Sequence, residues 1–150
     1  MKLTIELVPA TAWYTNVRSN VTQQEWDKIR KYCYKLADNK CEICNSVGFK
    51  QGRKHAVECH EIWQYDDINK IQKLTGLIAL CPNCHQTKHV GLASLQGKRE
   101  WVVKQLMNVN KMSWVEADNY INESFKAWND RSQSECQLDI SYLNEYMGNI

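Results

Sequence analysis

Two Cys-x-x-Cys pairs, Cys41/Cys44 and Cys81/Cys84, with 36 residues between them, constrain this chain more than any other feature. Cysteines three apart in a tight knuckle aim both sulfurs at one point, about 2.3 Å from a bound zinc ion. Four thiolates close a tetrahedron with no open position, so the zinc they hold is structural and performs no chemistry. Four unligated buried cysteines would account for the residue types but not for the repeated spacing. The gap exceeds that of a simple zinc ribbon and leaves room for a hairpin. Residues 56–63 read as its first strand, and residues 74–80, with Gly76 among them, as its second. With Pro82 in the second knuckle, a helix starts near Cys84. A knuckle, a hairpin and a helix whose first turn supplies the last two ligands form the treble-clef arrangement. The expected class is therefore α+β, a treble-clef zinc finger flanked by N-terminal and C-terminal helices.

At 150 residues, 43% hydrophobic and with 15 aromatics, the chain has enough apolar surface for one core. A single domain over 1–150 is expected, with an N-terminal strand and helix in 1–40, the zinc-binding core in 41–90 and a C-terminal helical extension in 91–150. No window approaches the ~20 apolar residues that span a bilayer, and the first residues lack the apolar run of a signal peptide. The expected location is cytoplasmic, with no membrane partner. In a reducing compartment, paired Cys-x-x-Cys spacing reads as metal ligation rather than disulfide bonding. The net charge of +2 conceals a bias: residues 1–55 carry ten Lys or Arg against five acids, residues 56–95 three against four, and residues 96–150 six against eight. That distribution fits a basic face, and equally a lysine-rich solvated surface.

In chain order, residues 2–8 alternate apolar and polar up to Pro9, the pattern of a half-buried strand. The aromatic segment from Trp13 to Arg18 has no period. It reads either as a loop packing its rings on the core or as a base-stacking platform with Arg18 on a phosphate. Thr22 and Glu25 have capping-box spacing, and Trp26, Ile29, Cys33 and Leu36 then form one apolar helical stripe, which makes Cys33 core rather than ligand. Between the knuckles, Gly48 and Gly52 with Lys50, Arg53, Lys54 and His55 predict an exposed basic loop, either a grip on a nucleic-acid backbone or a solvated turn. Beyond His89, Trp101, Val102, Leu106 and Val109 predict one helix. Ser113 and Glu116 cap another, with Trp114, Ala117, Ile121, Phe125 and Trp128 along its core face. Residues 138–146 fit a short strand or a helical turn, and Cys136 has no partner in sequence.

The chemistry concentrates in three of the four histidines. On a helix starting near Cys84, His85 and His89 stand at i, i+4 on one face, where two imidazoles bind one ion. His60 lies on the first strand of the hairpin that the cysteine zinc would hold against this helix. Three imidazoles leave a coordination position open to water or phosphate, which a structural site has no use for. Singly, each histidine also reads as a surface or hydrogen-bonded residue.

Residues 41–89 resemble the HNH endonucleases, a ββα-metal motif commonly built on a treble clef. The resemblance is carried by Leu80-Cys81-Pro-Asn-Cys84-His85-Gln-Thr-Lys-His89, which looks like the family's closing segment, and by Val57-Glu-Cys-His60-Glu61-Ile62, which resembles its first strand. It implies a divalent ion that contacts the scissile phosphate, held by His60, His85 and His89, and a water-activating base on the first strand. Glu61 stands where the family usually has that base as a histidine, and Gly76 falls near the asparagine that orients it. A carboxylate serves as base if desolvation raises its pKa from about 4.3 toward neutrality, and general-base catalysis is worth about 10²- to 10⁴-fold. In a second register Cys59 fills the ligand slot and His60 the base slot. The first register keeps Ile62 aligned with the apolar residue that follows the base.

The resemblance thus implies a metal-dependent endonuclease hydrolysing phosphodiester bonds in DNA. It would carry a structural Zn²⁺ on the four cysteines and a Mg²⁺, Mn²⁺, Zn²⁺ or Ni²⁺ ion on the histidines. Catalysis would fall to His60, Glu61 and His85, with Lys50, Arg53, Lys54 and Arg18 on the backbone. It would nick duplexes or cut with little sequence preference, and a homodimer would convert nicks to breaks. The rival is a catalytically degenerate treble-clef module that binds nucleic acid, a nucleotide or a protein, favoured by Glu61 and Gly76. A cysteine redox protein is a third class, disfavoured by the two ligand-spaced pairs.

Overall fold

The computed structural model describes residues 2–150. Its centre is an antiparallel hairpin of β1 (Glu58–Asp66) and β2 (Ile71–Leu80), running from the pair Glu58 and Leu80 to the pair Asp66 and Ile71, with a bulge at Ile62/Trp63. A short strand, β3 (Gln137–Asp139), adds in parallel to β2 and gives the order β1-β2-β3. Seven α-helices surround this sheet among the described residues: α1 (Val17–Asn20), α2 (Gln23–Leu36), α3 (Pro82–Lys88), α4 (Val90–Leu95), α5 (Arg99–Asn110), α6 (Trp114–Arg131) and α7 (Tyr142–Gly148). The molecule is mixed α+β, and none of its described helices is long and apolar enough to cross a membrane.

The two capping boxes open helices where their spacing predicts. Thr22 Oγ1 accepts from the Glu25 amide at 3.2 Å while Glu25 Oε2 accepts from the Thr22 amide at 2.7 Å. Ser113 and Glu116 repeat the exchange at the head of α6. Two main apolar clusters flank the hairpin. One gathers Leu3, Ile5, Leu80, Val90, Val102, Leu106 and Ile121 around three of the knuckle cysteines, and the other gathers Val17, Ile29, Trp63, Leu74, Leu143 and Tyr146.

Several expectations change. Residues 2–8 form no strand: the alternation is real, with Leu3 and Ile5 buried, but helix side chains take the ladder's place. The Leu3 amide donates to Asn110 Oδ1 and the Ile5 amide to the Tyr120 hydroxyl, each at 2.9 Å. The backbone donors of a buried segment must be satisfied, and here α5 and α6 do it. The rings of Trp13 and Tyr14 are 61% and 86% exposed, so that segment does not pack them on the core. Apolar stripes also run out at helix ends: Leu36, Trp101 and Trp114 face solvent, while Cys33 is buried as expected. The tail resolves into both alternatives, β3 followed by α7.

Candidate metal centres

The cysteine cluster is assembled by local turns. Cys41 opens a tight turn in which its carbonyl accepts from the Asn45 amide at 2.9 Å and its amide donates to the Ser46 carbonyl at 3.0 Å. Asn45 takes a left-handed φ of 60°, which asparagine tolerates better than most residues. The knuckle is tied to β2 twice, since the Glu42 amide donates to the Ala79 carbonyl at 3.0 Å and the Ala79 amide to Glu42 Oε2 at 2.7 Å. Cys81 caps α3, and Pro82 occupies the first helical position, where no amide hydrogen is needed. The helix therefore starts two residues earlier than expected and still carries Cys84 in its first turn.

The four sulfurs lie within 4.8 Å of one another, and Cys44 Sγ and Cys81 Sγ are 3.5 Å apart. A tetrahedron with 2.3 Å bonds has edges of about 3.8 Å, so this arrangement fits zinc. The protonation pattern agrees. Hydrogen bonds from Cys81 and Cys84 pull the Cys41 thiol down, and the reverse of those bonds pushes Cys84 up. Burial raises Cys44 to about 12. Four deprotonated sulfurs this close together require a cation among them. Gln105, on α5, donates from Nε2 to Cys84 Sγ at 3.2 Å. No sequence signal marked that contact.

The histidine cluster forms where β1 meets α3. Nitrogens of His60, His85 and His89 come within 4.8 Å of one another. The three ring centroids are 4.7–5.2 Å apart and every pair of planes is 72–80° from parallel, so the rings converge like blades. His85 Nε2 and His89 Nε2 are 3.0 Å apart. Behind His85, Glu58 Oε2 accepts from His85 Nδ1, and Glu58 Oε1 pairs with His55 Nε2 at 2.8 Å. A carboxylate behind one ring nitrogen fixes the tautomer and leaves the other nitrogen free to ligate. The bond to His85, then that to His55, holds Glu58 down at about 2 despite burial. Desolvation lowers His60 well below the usual histidine range, with the charges of His89 and His85 adding to it. His89 shows an edge to solvent yet is lowered to about 4, chiefly by desolvation and then by His85. Neutral imidazoles at ordinary pH are what a divalent ion requires.

Glu61 is not brought to this cluster. Successive strand residues point to opposite faces, so His60 turns toward α3 and Glu61 away from it. Its Oε1 accepts from the Val17 amide at 3.0 Å and its Oε2 from Trp63 Nε1 at 3.1 Å, which ties α1 to the sheet. Burial raises its pKa, as a base would need, but both acceptors are committed elsewhere. The carboxylate at the histidines is instead Glu58, which sequence reasoning missed. Its signal was parity: two residues before His60, it shares that strand face.

A cleft of about 250 Å³ opens beside His85 and His89, with Arg53 and Lys98 among its walls. Arg53 was expected near a phosphate, and Lys98, which follows Gly97 at the head of α5, was not. Lys50 and Lys54 are exposed on the same loop as Arg53 but do not line the cleft, and Arg18 is exposed on α1 beside the Glu61 anchor. Cys33, Cys59 and Cys136 belong to neither metal group. Compared with protein-family models, curated proteins and solved structures, the chain matches none.

Proposed function

We propose that this protein is a metal-dependent phosphodiesterase acting on DNA, with an HNH-like ββα-metal core on a treble-clef zinc finger. The observation that carries the reading is the convergence of His60, His85 and His89, the last two of which line a cleft that also presents Arg53 and Lys98. Cys41, Cys44, Cys81 and Cys84 would hold the structural zinc. His60, His85 and His89 would hold a second divalent ion, and imidazole ligands favour Zn²⁺ or Ni²⁺ over Mg²⁺. Bound there, a divalent ion supplies Lewis acidity for a phosphoryl oxygen.

The protein's own part is positioning. Glu58 keeps the His85 proton on Nδ1 and so keeps Nε2 directed at the ion. Arg53 and Lys98 attract a phosphodiester into the cleft, giving affinity with little sequence preference. Glu61 would have to leave Val17 and Trp63 to act as a base, so turnover is expected to be slow, without most of the 10²- to 10⁴-fold that a placed base provides.

The test is nicking of supercoiled plasmid by the purified chain with Mg²⁺, Mn²⁺, Zn²⁺ or Ni²⁺ supplied in turn. Nicking that depends on the ion and disappears in His85→Ala supports the reading. Absence of cleavage of DNA and RNA with every ion overturns it. The committed hydrogen bonds of Glu61 favour one second reading, a treble-clef module that binds nucleic acid without cutting it; ion-dependent retention of DNA without nicking is its signature.

A further inference from the structure

A second cavity, of about 300 Å³, lies between α3 and α5. From α5 it is lined by Trp101, Lys104, Gln105 and Asn108, spaced i, i+3, i+4 and i+7 and therefore on one helical face. From α3 come Asn83 and Gln86, again three apart. The lining comprises four side-chain amides, one cation, Val102 and an indole that is 70% exposed. The amides are not consumed by the fold. Gln86 Nε2 is buried with no hydrogen-bond partner, and Gln105 spends its Nε2 on Cys84 Sγ, leaving its carbonyl oxygen free. A buried amide donor without a partner is costly, and a ligand acceptor relieves that cost.

We infer that this cavity is a nucleobase subsite, which takes one unstacked base on Trp101 and reads its edge with the amides. An exposed indole offers a flat stacking surface to any base. Asn and Gln side chains present a donor and an acceptor side by side, the complement of a base edge. Lys104, whose exposed pair with Glu100 at 3.0 Å is weak enough to exchange, supplies charge for a neighbouring phosphate. The site adjoins the metal cleft at Gln86, which lines both cavities from the helix that carries His85 and ends at His89. A strand crossing α3 at Gln86 would set a phosphate near the histidines and the adjoining base against Trp101. Bases paired in a duplex cannot reach such a pocket, so the preferred substrate is single-stranded or locally opened nucleic acid. This placement rests on the phosphodiesterase reading; base binding itself does not.

The experiment measures binding of the full chain to a fluorescent single-stranded DNA ten-mer and to an abasic ten-mer of equal length and charge, in chelator that leaves the histidine site vacant. The wild-type protein is expected to favour the base-bearing strand at least tenfold. Trp101→Ala, at an exposed position, should bring the two strands level, and Trp101→Phe should keep most of the preference. Gln86→Leu should reduce the preference without changing abasic binding. Equal binding of the two strands by the wild type, no binding of either, or an undiminished preference in Trp101→Ala overturns the subsite. Loss of the subsite with nicking intact removes this inference alone, whereas a Trp101-dependent base preference without nicking under any ion removes the phosphodiesterase and leaves the subsite.

Discussion

Glu58 and Glu61 sit three residues apart on one strand and hold opposite chemical positions. Glu58 is drawn down to about 2 by His85, and burial pushes Glu61 up. Glu58→Gln should weaken divalent-ion binding at the histidines by about 10- to 100-fold, the usual effect of losing a carboxylate behind a ligand imidazole. Titration of the chelated protein with Zn²⁺ or Ni²⁺ would read it. Glu61→Gln should lower stability by about 1–2 kcal/mol, since its new amino group faces a donor in place of an acceptor. That appears as a shifted urea midpoint, with ion binding unchanged. The sign of the pH dependence follows from His89. Its folded value of about 4 lies below the ordinary histidine value of 6.5, so its contribution is fully present above pH 6.5 and declines as the pH falls toward 4. With only the cysteine site loaded, the urea midpoint should fall across that window, and His89→Asn should flatten the slope.

At the scale of elements, sequence spacing and structure agree where the signal is local. Capping boxes, Cys-x-x-Cys knuckles and the i, i+4 histidine pair each need only near neighbours in sequence, and all appear, although α3 ends before His89, which converges with His85 from the C-cap. The misplacements come from partners distant in sequence. Residues 2–8 have a strand's alternation, yet Asn110 and Tyr120, more than a hundred residues away, supply their hydrogen bonds. Glu61 is the expected base by its position in the sequence, but the Val17 amide and Trp63 indole claim it. Trp101 fits a core stripe by period, and only the docking of α3 on α5 decides that it faces a groove. The basic loop is governed by one close approach. A Cβ on Gly48 would lie 2.1 Å from the His55 carbonyl, whose residue pairs with Glu58. Gly48→Ala should therefore cost about 1–3 kcal/mol in urea unfolding and displace Arg53 and His55 together.

For the whole molecule, the cysteine cluster is part of the core. Cys41, Cys81 and Cys84 are fully buried among Leu3, Leu80, Val90, Val102 and Leu106, so α4 and α5 pack beside the knuckles and α6 packs on α5. Binding energy at such a site is folding energy. Cys84→Ser should abolish a cooperative thermal transition and the near-ultraviolet circular dichroism of the buried aromatics. His85→Ala, on the open side of α3, should leave both in place. The two candidate metal centres thus share one seven-residue helix but would differ in what they support: a metal at one would fix the fold, and a metal at the other would be held by it.

The same burial has a kinetic consequence. A zinc ion enclosed by four core sulfurs can leave only when the surrounding packing opens, so its exchange is limited by the opening rate of the domain. An ion at His85 and His89 borders a solvent-filled cleft and can exchange by simple dissociation. Loaded at both sites, the protein would carry a slow metal and a fast metal, and brief dialysis against a different ion should replace the second while leaving the first untouched.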